Sequence, residues 1–275
     1  MRISLATRPG SPDKPTEDFV AACPGVALIL DGLSSPPDLG TGCVHGTPWY
    51  VAQLGTRLLA GAATRPAESL EQITADVIEA VAALHRGTCD LAHPGTPSSS
   101  IALLRQGAEQ IDYLSVFDSV IVLATACGPR IVTDLRVDSY AQDEHKATTQ
   151  YAIGTEEHRL AVSRLVAAQR PFRNQPHGYW VAGAVAETAR HAVTGSVPRD
   201  EVSSAAILSD GASCLVDRFG AGDWARLLDR LGTSGPDIVL DQVRAVEESD
   251  PLGERWPRYK RSDDATVVFW EFDPV

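Results

Sequence analysis

The chain has 275 residues, of which 44% are hydrophobic and 22% charged, enough for one large core. Asp and Glu number 36 against 24 Lys and Arg, a formal net charge of -12 that disfavours nucleic acid or an anionic membrane surface as partner. Met1 to Pro9 carries charges and a proline where a signal peptide needs an apolar stretch, and no run reaches transmembrane length, so a soluble cytoplasmic protein is expected.

The first clear strand is Val26 to Leu30, a continuous apolar run of the kind buried on both faces, which ends in Asp31-Gly32. A Gly/Pro/Ser-rich loop from Gly32 to Thr47 follows, then helical texture from Pro48 to Ala62. Leu70, Ile73, Val77, Val81 and Leu84 recur at helical spacing and predict a second helix over Glu68–His85. Four short runs, 99–105, 111–116, 119–124 and 130–134, read as an antiparallel meander. From Asp138 to Arg170 the texture is helical and charged, and Pro171 to Gly178 is rich in turn residues, which together suggest an excursion over the core at about 138–178. Helices are expected near 184–193, 224–231 and 236–248. Ala205 to Ser209 leads into Asp210-Gly211 as a near copy of the first strand and its ending, and Asp263-Asp264 opens the apolar run Ala265 to Trp270. Blocks of strands and blocks of helices without strict alternation argue α+β layers in a single domain spanning 1–275.

Acidic residues thus stand at four stations where strands begin or end: Glu17-Asp18, Asp31-Gly32, Asp210-Gly211 and Asp263-Asp264. Carboxylates gathered at adjacent strand ends repel one another unless a cation sits among them, and hard divalent cations choose oxygen ligands. A Mg²⁺ or Mn²⁺ site is the expectation. The five cysteines lack a Cys-x-x-Cys pair and fit reduced thiols; Cys43-Val44-His45 has no second pair in sequence, which leaves His45 as a loop residue. Neither a Gly-x-Ser-x-Gly elbow, a Walker loop nor a Gly-x-Gly-x-x-Gly turn is present.

The ordered set Glu17-Asp18, Leu30-Asp31-Gly32, Ser98-Ser99-Ser100, Phe117-Asp118-Ser119, Leu208-Ser209-Asp210-Gly211 and Asp263-Asp264-Ala265-Thr266 resembles the metal-dependent Ser/Thr protein phosphatases, type 2C or PPM, in their bacterial form. The resemblance spans essentially the whole chain. It implies a four-layer αββα sandwich with two central antiparallel β-sheets, and hydrolysis of phosphoserine and phosphothreonine in phosphorylated protein substrates, in signalling that opposes Ser/Thr kinases. It also implies two Mn²⁺ or Mg²⁺ ions, with a weaker third. Asp31 would bridge the two ions, Gly32 would offer its carbonyl, and Asp210 and Asp263 would complete the set. Asp118 would serve the third ion, and Glu17 and Asp18 would hold waters on the metals. Asp263 is preferred to Asp264 because the family's ligand lies three residues before its Thr, here Thr266. The alternatives are a weak phosphatase-like module that binds a phosphoprotein and a phosphatase of small metabolites.

Departures from the pattern are as informative. The family's phosphate-clamping arginine, four residues before its Glu-Asp pair, is Asp13 here, which leaves Lys14 or Arg8 to hold phosphate. Leu33 replaces a histidine of some relatives, Ser34-Ser35 a Gly-Gly pair, and Phe117 the glycine before Asp118.

Overall fold

A computed structural model describes residues 1–85 and 87–273. Ten strands form two five-stranded antiparallel sheets. One has the order β1-β10-β9-β6-β7, from Arg2–Arg8, Ala265–Glu271, Val202–Leu208, Val120–Thr125 and Gly128–Val132. The other has the order β2-β3-β4-β5-β8, from Phe19–Cys23, Val26–Leu30, Ile101–Gln106, Gln110–Val116 and Val193–Pro198. Among the described residues, no helix is long and apolar enough to cross a membrane.

Side-chain alternation builds the layers, because successive residues of a strand face opposite sides of a sheet. Ala27 and Ile29 of β3 meet Ile121 of β6, Ile207 of β9 and Val268 of β10 between the sheets. Val26, Leu28 and Leu30 turn the other way, onto α1 (Thr47–Thr64) and α2 (Leu70–Leu84). On the opposite outer face, Leu208 of β9 and Val267 and Phe269 of β10 pack with α5 (Asp210–Asp217), α6 (Trp224–Ser234) and α7 (Pro236–Ser249). Strands with both faces covered read in sequence as unbroken apolar runs, and β3 is buried at all five positions. The result is the expected four-layer αββα sandwich. Helix starts follow local capping: the Ser69 hydroxyl accepts from the Gln72 N–H at 3.1 Å and the Asp223 carboxylate from the Arg226 N–H at 2.8 Å.

Two expectations need correction. The four strands from Ile101 to Val132 are not one meander but two hairpins in different sheets, β4-β5 and β6-β7, and the chain crosses between sheets at Phe117-Asp118-Ser119. Local patterning shows hairpins but not the sheet that each joins. The helix expected over 184–193 is only a 3₁₀ turn at Ala186–His191; Val-Thr-Gly-Ser-Val after it is poor helix sequence and pairs with β5 as strand β8. Strands β1 and β2, too mixed in composition to read from pattern, are specified by their partners β10 and β3.

The excursion comprises α3 (Gln142–Thr148) and α4 (Glu156–Gln169), the latter capped by the Thr155 hydroxyl. It is fastened to the long loop after β3, where the Ser163 hydroxyl donates to Asp38 at 2.7 Å and Arg170 donates to the Ser35 hydroxyl at 2.7 Å.

Candidate metal centre

The ends of β3, β9 and β10, together with the β5-to-β6 crossover, meet at one end of the sandwich. Backbone bonds lock them there. The Asp210 N–H donates to the Asp31 carboxylate at 3.2 Å, so the two near-copy strand endings touch directly. The Ser100 N–H donates to the Asp31 carbonyl at 2.8 Å, and the Asp31 N–H donates to the Ser100 hydroxyl at 3.1 Å. Ser100 and Ser119 share a hydroxyl bond of 2.6 Å, which links β4 to the crossover that carries Asp118. Ser100 and Ser119 therefore tie strand ends together behind the carboxylates.

Glycine follows two of these aspartates because backbone passes close by. A Cβ on Gly32 would lie 2.5 Å from the Glu17 carbonyl oxygen, and one on Gly211 would lie 2.0 Å from that of Asp264. Asp264 is engaged in holding chain together, since its two carboxylate oxygens accept from the Gly10 N–H at 2.7 Å and the Glu17 N–H at 2.6 Å. Asp263 is free of that duty and lines the cavity, an arrangement that favours it over its neighbour as a ligand.

Asp31, Gly32, Asp118, Asp210 and Asp263 all line one cavity of about 710 Å³, whose far wall is the excursion with Tyr140, His158 and Arg173. Burial, followed by the nearby charges of Asp18, Asp210, Asp118 and Asp263, pushes the Asp31 carboxyl well above the usual range. Asp118 is raised by burial and then by Asp210. Burial raises Asp263 as well, against the pull of Lys260. Asp18 sits behind them, 7% exposed, with its carboxyl pushed up to about 8 by burial despite the 2.6 Å hydrogen bond from the Thr266 hydroxyl. Its second oxygen is buried without a hydrogen-bond partner. Glu17 is joined to the opposite loop by the Ser34 hydroxyl. Mutually repelling oxygen donors with an unpartnered buried carboxylate oxygen beside them fit hard divalent cations such as Mg²⁺ and Mn²⁺.

Lys14 lines the cavity, and Arg8 does not. Arg8 is corrected as a phosphate clamp: its guanidinium is drawn away to α7, 2.7 Å from Asp237 and 3.4 Å from Asp241. Among the cavity-lining cations that the sequence did not single out are Lys260 and Arg218. Lys260 donates to Asp263 at 2.7 Å and to the Ser34 hydroxyl at 3.1 Å, and Arg218 lies just past α5. The available signal was Lys260-Arg261 just before Asp263-Asp264 in an otherwise acidic chain. Arg173, from the excursion, donates instead to the Pro94 and Thr96 carbonyls.

Phe117 adopts φ 68, the left-handed backbone suited to glycine, at the turn that presents Asp118. Its ring compensates by burial against Tyr179, with centroids 5.6 Å apart.

Neither a protein-family model nor a curated protein matches the sequence. Solved structures do match in shape. The serine/threonine phosphatase Stp1 from Staphylococcus aureus superposes with a TM-score of 0.59 at 11% identity, covering 98% of this chain and 94% of that one. The chain has the fold of Ser/Thr phosphatases. The PPM Ser-Thr phosphatase MsPP from Mycobacterium smegmatis, solved with cacodylate, gives 0.57 at 17% identity over 99% of both chains. The catalytic domain of the serine threonine phosphatase PstP, solved with two manganese ions, gives 0.57 at 14% identity over 98% of this chain and 97% of that one. The phosphatase fold therefore accounts for the whole sandwich, including the end at which the carboxylates converge.

Proposed function

We propose that the protein is a phosphatase that uses Mn²⁺ or Mg²⁺ to hydrolyse phosphoserine and phosphothreonine esters of proteins, with 1–275 as one catalytic domain and 138–178 as its excursion. The observation that carries this reading is the convergence of Asp31, Asp118, Asp210 and Asp263 on one cavity, in a fold shared with Ser/Thr phosphatases. Asp31, the Gly32 carbonyl, Asp210 and Asp263 would hold two ions, and Asp118 a third. When bound, such ions supply a nucleophilic water at neutral pH and neutralise charge on the phosphate.

The chain's own residues contribute position and charge. The Asp210 N–H orients Asp31, Asp264 holds the segment that carries Glu17 and Asp18, and Thr266 orients Asp18. Lys14, from the cavity rim, would contact the substrate phosphate. Leu33 cannot give a proton, so the leaving alkoxide would be protonated by solvent. A role in the cytoplasm, opposing protein kinases, belongs to this proposal.

The test is turnover of p-nitrophenyl phosphate and a phosphothreonine peptide with Mn²⁺, with Asp31→Ala as control. Activity that needs Mn²⁺ and is absent in the control is the expected result. Binding of the peptide without turnover would replace the enzyme with a phosphoprotein-binding module, and faster turnover of small phosphorylated metabolites would change the substrate class.

A further inference from the structure

A second cluster of metal-binding side chains lies away from the carboxylates, where the loop after β3 enters α1. Cys43 and His45 precede that helix, His85 follows α2, and Cys89 lies in the next turn. Their donor atoms all lie within 4.8 Å of one another. The sequence hid this grouping because its halves are 40 residues apart and neither is a Cys-x-x-Cys; His45 is the loop residue expected, and the fold brings His85 and Cys89 to it.

We propose that Cys43, His45, His85 and Cys89 bind one structural Zn²⁺ that joins the start of α1 to the end of α2. The distances carry the assignment. Zinc bonds of about 2.0–2.3 Å in a tetrahedron place neighbouring ligand atoms about 3.3–3.8 Å apart. Here the Cys43 sulfur is 3.5 Å from the Cys89 sulfur, 3.5 Å from His85 Nδ1 and 3.7 Å from His45 Nδ1, and the Cys89 sulfur is 3.4 Å from His45 Nδ1. Each is a tetrahedral edge. A sulfur pair at 3.5 Å is far too long for a disulfide, whose bond is about 2.05 Å. Two sulfurs with two imidazole nitrogens select zinc rather than the hard ions suited to carboxylates.

The surroundings are built for fixed ligands. The His45 ring stacks on Trp49 at 4.2 Å, Trp49 meets His85 edge to face at 4.8 Å, and the His45 N–H points at the Cys43 sulfur at 3.4 Å. His85 is 2% exposed. Four protein ligands close the coordination sphere, so the ion would be structural and not catalytic. On binding, the ion displaces the thiol protons, which pass to solvent. A parallel backbone tie, from the Asp90 N–H to the Gly42 carbonyl at 2.8 Å, joins the same two segments. The loop thus pinned is the one that bears Ser34 and Ser35 on the cavity wall.

The test is the metal content of full-length protein purified without chelator, followed by exchange with Co²⁺. One zinc per chain is expected in the wild type and in Asp31→Asn, with complete loss in Cys43→Ser/Cys89→Ser. Cobalt-loaded wild type should show thiolate-to-cobalt charge-transfer absorption. A wild type that takes up neither zinc nor cobalt would overturn the site, as would a double variant that keeps its zinc. Should the double variant fail to fold, the cobalt spectrum of the wild type decides: thiolate charge transfer supports the site, and its absence overturns it.

Discussion

The loop from Gly32 to Gly46 joins two clusters of opposite chemistry. At its start stand Asp31 and Gly32, among oxygen donors alone; at its end stand Cys43 and His45, among sulfur and imidazole nitrogen. The first cluster lines an open cavity, whereas the second is wedged between two helix ends and an indole ring. One chain can therefore sort two metals by donor type, without geometry as the only selector. An open oxygen site suits exchangeable catalytic ions, and a closed sulfur–nitrogen site suits a resident one.

The largest expected effect separates the two clusters outright. Asp31→Asn removes the carboxylate proposed to be shared between ions; since a metal's charge stabilisation is worth several kcal/mol, kcat/KM should fall on the order of a thousandfold. The rise in melting temperature on adding Mn²⁺ should vanish with it, while zinc content stays unchanged. Loss of both together would show that the clusters are not independent.

Lys14→Ala probes the substrate side of the oxygen cluster. A charge-assisted hydrogen bond is worth about 1.5–3 kcal/mol, so kcat/KM should fall about ten- to a hundredfold, chiefly through KM. An unchanged KM would move the phosphate contact to Lys260 or Arg218.

Phe117→Gly sets backbone strain against packing. Relief of the left-handed conformation gains about 1–2 kcal/mol, but loss of a buried phenyl ring costs about 3–5 kcal/mol. The variant should be destabilised by about 2 kcal/mol, read as a lower urea midpoint with unchanged slope. A higher midpoint would mean that strain outweighs the contact with Tyr179.

The smallest effect concerns the segment that delivers Lys260 and Asp263. Asp250 is buried and accepts from the Glu254, Arg255 and Trp256 N–H groups at 2.9, 3.2 and 2.9 Å. Burial alone would raise its carboxyl; the three N–H groups and Arg258 overcome that and hold it below the ordinary value. A depressed folded pKa contributes stability that is present above the unfolded value and lost as pH falls through the folded one. Asp250→Asn should therefore be destabilised on the order of 1 kcal/mol at pH 7, and the gap should close below about pH 4. A gap that does not shrink as the pH falls below about 4 would show a role independent of charge.

Much of the carboxylate cluster was legible in the chain. Apolar runs that end in Asp31-Gly32 and Asp210-Gly211 and begin after Asp263-Asp264 announced buried strands with carboxylates at their tips, because burial on both faces leaves no polar alternation. Helices α1, α2, α6 and α7 likewise declared themselves through local texture and periodicity. What only the tertiary structure decided depends on residues far apart in sequence. Arg8 has the chemistry of a phosphate clamp, but α7 captures it from more than 200 residues away. The division of labour between Asp263 and Asp264 rests on which of them meets Gly10 and Glu17. The crossing of Phe117-Asp118-Ser119 between sheets, and the meeting of Cys43 and His45 with His85 and Cys89, follow from long-range packing. Spacing encodes the contacts that a single helix or strand makes with its own neighbours; contacts between elements are set by how their faces stack, and that is a property of the assembled layers.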